Sequence, residues 1–147
     1  MARLAVDSRR AYPRERFSRE VTLTPSEVAA FATAAGDDNA LHHNALFAAA
    51  TRYRRPIASG PHTLSLLIAL TAAHFGKKGA MIGLEFSARF HRPVYADETI
   101  RLEWMVVKVT ANVKLGGDVV DLRGRVKGQD GNTAIGAKVC LLVEDRL

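Results

Sequence analysis

GPHTLSLLIALTAAHF, the run from Gly60 to Phe75, decides the fold. It contains no Asp, Glu, Lys or Arg. At 3.6 residues per turn, Leu64, Leu66, Leu67, Ile68, Leu70 and Phe75 point in nearly every direction around a helix. A helix that is apolar nearly all round belongs in an interior rather than on a surface. Gly60-Pro61 suits its start, because proline is preorganised for the first helical position. Gly76-Lys77-Lys78-Gly79 stops it.

Upstream of this run the chain reads as helical. Of 23 alanines, 14 fall between Ala29 and Ala73 and only four follow Ala88, and alanine favours helices over strands. Thr24-Pro25-Ser26-Glu27 has the form of a capping box, with Thr24 as N-cap, Pro25 at N1 and Glu27 at N3. Val28, Phe31, Ala32 and Ala35 then repeat on one face, and Gly36 suits the terminator position. A second helix is predicted over Ala45 to Tyr53, capped by Asn44 and over by Arg55, because Pro56 disfavours helix at the residue before it.

Downstream, period-two alternation takes over. Ile100, Leu102, Trp104 and Val106 share a face within Thr99–Val109. Val120, Leu122 and Val126 share one within Val119–Lys127, opposite Asp121, Arg123, Arg125 and Lys127. Ile135, Ala137, Val139, Leu141 and Val143 share one within Ala134–Val143. Gly116-Gly117 and Asp130-Gly131-Asn132 mark turns. Met81–Phe90 is a further strand ended by Pro93, and Phe17–Leu23 adds an edge strand. The expected architecture is one α+β domain, a mostly antiparallel sheet wrapped around a long buried helix. Residues 1–16 are set apart as a basic N-terminal tail and residues 17–147 as the domain.

Composition narrows the function classes. With 147 residues, one domain with a sizeable core is expected. No apolar run approaches the length of about 18 residues that a membrane helix needs. The single Cys140 leaves no internal disulfide or multi-cysteine zinc site and fits a reducing cytoplasm. The N-terminus has no apolar signal core. A net charge of +6 favours polyanionic partners, with nucleic acid and a phosphate-bearing cofactor such as coenzyme A as candidates. The cations are scattered, with small clusters at Arg9-Arg10, Arg52/Arg54/Arg55 and Lys77-Lys78. The ten aromatics form no stacking platform, so nucleic acid is not expected.

The densest polar stretch of the helical half is Gly36-Asp37-Asp38-Asn39-Ala40-Leu41-His42-His43-Asn44. In a continuous helix Asp37 and His42 would stand about 140° apart. In the loop that Gly36 and the Asp-Asp-Asn run favour, they can converge on one water as an acid/base pair. Asp38 and Asn39 are also ordinary turn and cap residues. His42, His43, His62 and Asp37 are metal-capable types, but the adjacent histidines point apart in extended chain, and no metal is expected. The second constellation, Arg55-Pro56-Ile57-Ala58-Ser59-Gly60-Pro61-His62, leads into the central helix. A helix N-terminus presents free N–H groups that can stabilise an oxyanion. Pro61 has none, leaving the Gly60 and His62 amides as donors, with Ser59 or Gly60 as the cap.

AGDDNALHHN followed by RRPIASGPHT resembles the hydratase motif of the MaoC-like acyl dehydratases, which include (R)-specific enoyl-CoA hydratases of the hot dog superfamily. Gly36, Asp37, Asn39 and His42 match the first half of that motif, and Arg55, Pro56, Ile57, Ala58 and Gly60 the second. The likeness runs from about Phe17 to Val143 and includes ARFHRPVYADETIRLE, Ala88 to Glu103.

The resemblance implies a hot dog fold that pairs into a homodimer or higher oligomer. The implied substrate is a trans-2-enoyl thioester of coenzyme A or acyl carrier protein, with no other cofactor. It implies Asp37 and His42 as the catalytic pair and the Gly60 N–H as holder of the thioester oxygen. Asn39 would support the loop and is a candidate to touch the site, Ser59 would lie beside the oxyanion site, and His62 is either an extra polar group in the substrate tunnel or a packed, hydrogen-bonded histidine. Arg52, Arg54 and Arg55 are candidates for the carrier's phosphates. The chain departs from the pattern at Ala40, usually Pro, at Asn44, often Asp, and at Ser59 and Pro61, often His and Met. A hot dog thioesterase or a noncatalytic acyl-thioester binder is the alternative reading.

Overall fold

The computed structural model describes residues 10–77 and 79–144. The first helix is built as its capping box directs. The helix, α1 (Pro25–Ala35), has the Thr24 hydroxyl accepting from the Glu27 N–H and the Glu27 carboxylate accepting from the Thr24 N–H. It ends at Gly36, whose φ of 74° lies in the left-handed region where glycine carries no Cβ penalty. A 3₁₀ turn, Ala40–His42, follows. The next helix, α2, spans only Ala45–Ala49, shorter than the expected run to Tyr53. Asn44 caps it as expected, but the Thr51 hydroxyl donates to the Ala48 carbonyl and accepts from the Tyr53 N–H. Such side-chain bonds compete with the helix ladder, and Arg54 then turns left-handed with φ 69°.

The long helix α3 (Gly60–Phe75) is capped by Ser59, whose hydroxyl accepts from the His62 N–H. Five strands complete the domain: β1 (Arg16–Thr22), β2 (Ala80–Phe90), β3 (Thr99–Asn112), β4 (Gly117–Lys127) and β5 (Thr133–Glu144). They form one antiparallel sheet in the order β1-β3-β4-β5-β2. The inner face is the one the alternation selected. Ile100, Leu102, Trp104 and Val106 of β3, Val120, Leu122 and Val126 of β4, and Ile135, Val139, Leu141 and Val143 of β5 are all buried.

Helix α3 lies against this face, with Leu67, Leu70, Thr71 and Phe75 buried. The Trp104 indole N–H donates to the Leu67 carbonyl at 2.7 Å, tying helix to sheet. Gly124 makes room for that indole, since a Cβ there would lie 2.3 Å from the ring. Leu64 and Leu66 are half-buried and pack against the core, while Ile68 is half-buried and Ala69 exposed.

Of the segment 1–16, residues 1–9 lie outside the described residues, as do Arg9 and Lys78 of the basic clusters. The packed chain reaches back to Ala11, which joins the core. The Arg14 N–H donates to the Val106 carbonyl and the Val106 N–H to the Glu15 carbonyl. The Glu15 carboxylate pairs with His74, whose ring stacks on Phe17 at 3.9 Å.

Candidate active site

The turn after α1 is organised by its own side chains. Asp37 Oδ1 accepts from the Asn39 N–H and Asn39 Oδ1 from the Leu41 N–H, at 3.0 and 3.1 Å. These Asx bonds replace the helix ladder and fold the chain back on itself. His42 therefore comes round to face Asp37, with Nε2 3.4 Å from Asp37 Oδ2. His43 leaves in another direction and bonds the Asp37 carbonyl through Nε2.

The Pro56-Ile57-Ala58 segment holds His42 from the other side. The Ile57 N–H donates to the Leu41 carbonyl at 3.1 Å, and His42 Nδ1 lies 2.7 Å from the Ile57 carbonyl. A carbonyl can only accept, so Nδ1 carries a hydrogen for the Ile57 carbonyl and Nε2 is the nitrogen left to face Asp37. The segment is fixed in turn by the chain after β2. The Ala58 N–H donates to the Val94 carbonyl and the Ala96 N–H to the Pro56 carbonyl.

His42, at 7% exposure, lines a cleft of about 670 Å³. Gly60, Tyr53, Phe90 and Tyr95 share its wall. Among the described residues the Gly60 N–H has no hydrogen-bond acceptor. Its α-carbon is closely covered, since a Cβ there would sit 2.7 Å from the Phe90 ring. Asp37 is 34% exposed and lines a second hollow, beside Asp38 and His43.

The other expected residues divide. The His62 amide, expected as a second oxyanion donor, is already held by the Ser59 carbonyl and hydroxyl. The His62 ring does not line the cleft. It is buried and stacked on Phe31 of α1 at 4.4 Å, and its Nδ1 has no hydrogen-bond partner among the described residues. Burial pushes its pKa below the usual histidine value, with Glu27 opposing and His42 adding to the shift. Ser59 is buried as the cap and Asn39 is exposed as a turn former. Arg52 lines the cleft and donates to the Tyr53 hydroxyl, Arg55 lies over the Tyr95 ring at 4.5 Å, and Arg54 is exposed. Sequence reading missed Tyr53, Phe90 and Tyr95. Nothing in their spacing marks them, because they come from three separate segments. Among the described residues no three His, Cys, Asp or Glu side chains gather as a metal site.

A family model described as a MaoC-like domain matches residues 12–127, more than half of the chain. The chain belongs to the MaoC-like dehydratase family. The match takes in the Asp37 turn, the Pro56–Ala58 segment and α3, and stops at the end of β4. An (R)-specific enoyl-CoA hydratase from Aeromonas caviae is 36% identical over 110 residues, which are 75% of this chain and 78% of that one. The solved (R)-hydratase from A. caviae, described as involved in PHA biosynthesis, superposes with a TM-score of 0.82 at 27% identity, covering 90% of this chain and 97% of that one. An R-hydratase from Pseudomonas aeruginosa superposes with a TM-score of 0.81 at 21% identity, covering 92% and 84%, a likeness of fold. This MaoC-like chain therefore has the hot dog fold, with the α3 N-terminus and the Asp37 turn meeting at one end of the central helix.

Proposed function

We propose that this MaoC-like enzyme adds water across the double bond of a trans-2-enoyl-CoA to give an (R)-3-hydroxyacyl-CoA, and catalyses the reverse dehydration. The observation that carries the reading is the locked His42 ring. Its Nδ1–H is spent on the Ile57 carbonyl, and its Nε2 faces Asp37 across 3.4 Å. A water beside the pair, within hydrogen-bond reach of both Nε2 and Oδ2, is held by the two groups and keeps a lone pair for the substrate.

The thioester carbonyl makes the β-carbon electrophilic once charge can build on its oxygen. The Gly60 N–H, unpaired at the first turn of α3, supplies the donor and the positive end of the helix dipole. The water oxygen bonds to C3 and its proton passes to the Asp37/His42 pair. The pair returns one proton to C2, so the net addition is H and OH. The A. caviae relative, named as an (R)-specific enoyl-CoA hydratase, supports the substrate class and the stereochemistry.

Arg52 on the cleft wall, with Arg54 and Arg55 next to it in the chain, holds the carrier's phosphates; charge reversal there should raise KM with kcat little changed. The outer edge of β2 is unpaired among the described strands, with Ile82 and Leu84 about half exposed. An exposed apolar edge favours pairing with another strand, so the chain forms a homodimer through β2, and sedimentation should give twice the chain mass. The lone Cys140 is free, which suits a reducing cytoplasm.

The test is loss of the enoyl-thioester absorbance with trans-2-enoyl-CoAs of increasing length, with chiral analysis of the product. Water-dependent loss that yields the (R)-alcohol, without release of free thiol, is the expected result. Release of thiol from saturated acyl-CoA would mark a thioesterase instead.

A further inference from the structure

The outer face of the sheet carries a charge pattern that the cleft chemistry does not use. Registers place Arg16, Met105, Arg123, Lys138 and Ser87 in one row across all five strands. Ser18, Glu103, Arg125, Gly136 and Arg89 form the adjacent row. The two rows hold five cations, Arg16, Arg89, Arg123, Arg125 and Lys138, and one carboxylate, Glu103. Glu103 is occupied, at 3.0 Å by Arg101 and 2.7 Å by Arg125.

Arg16, Arg89, Arg123 and Lys138 are exposed and form no ion pair among the described residues. Glu85 and Asp121 stand along the neighbouring row without closing on them. Arg123 and Lys138 face each other directly across β4 and β5. Like charges directly opposite destabilise a sheet, so folding gains nothing from this pair. At about 4.8 Å per strand, the row extends about 19 Å from β1 to β2.

The band also leads to the cleft. One shallow depression is lined by Arg16, Arg123 and Arg125, and a second by Arg123, Lys138, Arg89 and His91. His91, next to Phe90 at the end of β2, also lines the cleft that holds His42 and Gly60. The path therefore runs from β1 across the sheet to the cleft. The residues between the cations are Met105, Ser18, Ser87 and Gly136, and Trp104, which borders the first depression, is buried, so the band offers no aromatic face for a nucleobase to stack on.

We infer that the basic band spanning Arg16, Arg123, Lys138 and Arg89 is a docking surface for the acidic face of a carrier protein that delivers its acyl thioester into the adjoining cleft. The inference rests on the proposed thioester chemistry of that cleft and adds a partner to it. Charge complementarity of this kind governs encounter and partner choice more than chemistry.

The test pairs binding with turnover. Binding of an acidic acyl carrier protein in its apo form, followed by fluorescence anisotropy, needs no reaction. Wild type should bind it, and binding should weaken about tenfold when salt rises from about 50 to about 300 mM. The double variant Arg123→Glu/Lys138→Glu keeps the like-charge opposition, so its folding should match wild type, and it should bind at least about tenfold more weakly. Lys138→Glu alone places opposite charges across the strands; it should unfold no earlier than wild type and still weaken binding. On crotonyl thioesters, kcat/KM of the double variant should fall about tenfold for the carrier-protein substrate and stay within about twofold for the CoA substrate.

Equal carrier binding by wild type and the double variant would overturn the inference. So would a parallel loss on both thioesters, which would assign the band to CoA phosphates, or tighter binding of a single-stranded oligonucleotide lost in the same variant. Carrier binding that disappears in the variant, with neither thioester hydrated by wild type, would uphold the surface and refute the hydratase reading.

Discussion

Two histidines, twenty residues apart in the chain and both more than nine-tenths buried, have opposite surroundings. His42 sits in a turn built by Asp37 and Asn39, with each ring nitrogen facing a named group and its side in the cleft. His62 sits in the first turn of α3, flat against Phe31, with no hydrogen-bond partner for Nδ1 among the described residues. Burial alone therefore does not make a histidine reactive. What sets His42 apart is a carbonyl that holds Nδ1–H and a carboxylate facing Nε2. At His62 the same burial only discourages the charged form.

The contrast breaks most visibly at Asp37. Asp37→Asn keeps the Asx bond to the Asn39 N–H but removes the charge facing Nε2. Hydratase kcat should fall by about 10²–10⁴, the usual worth of a positioned acid/base group, while thermal unfolding shifts little. A drop of only a few-fold in steady-state kinetics would mean that the carboxylate serves the turn rather than the chemistry.

Asn39→Ala attacks the same turn without touching its charges. Loss of the Oδ1 bond to the Leu41 N–H should cost about 1 kcal/mol of stability. It should also lower kcat/KM by a smaller factor than Asp37→Asn, because the turn that presents His42 loosens. Denaturant melts beside kinetics separate the two effects.

His62→Phe sharpens the other side of the comparison. The folded chain holds His62 neutral below its ordinary pKa of about 6.5. The stability that depends on this neutrality is present above that value. It is lost as pH falls, because the unfolded chain takes up a proton that the fold resists. Phenylalanine keeps the stack on Phe31 and removes the unpaired nitrogen. The variant should equal or exceed wild type in stability at pH 7, and should lose less between about pH 7 and pH 5. Melts across that range check it. An unchanged acid slope would show that His62 titrates as an ordinary histidine.

The smallest effect is expected far from both rings. Thr24→Ala removes half of the α1 capping box and should cost about 1 kcal/mol with kcat/KM unaltered. It calibrates how far a simple loss of helix stability reaches the Asp37 turn that follows α1.

The strands, the capping box and the Asp37 turn were legible because each is written locally, as alternation, as a Thr-Pro-Ser-Glu run, or as Gly followed by Asx residues. The end of α2 was not, since it depends on Thr51 bonding back to Ala48 and on Arg54 turning left-handed. The orientation of His62 was hidden by the feature that made α3 easy to find. A helix apolar all round has no polar stripe to set its phase, so the sequence could not say whether His62 faced the cleft or Phe31. The Glu15–His74 pair joins residues 59 apart in sequence, and the tyrosines of the cleft wall meet only in three dimensions.

The most direct test is a side-by-side measurement of kcat/KM on crotonyl-CoA for wild type, His42→Ala and His62→Phe, with folding verified by circular dichroism. The account predicts that wild type hydrates the substrate, that His42→Ala loses at least about a hundredfold, and that His62→Phe stays within a few-fold. Full activity in His42→Ala, or equal losses in the two variants, would contradict it.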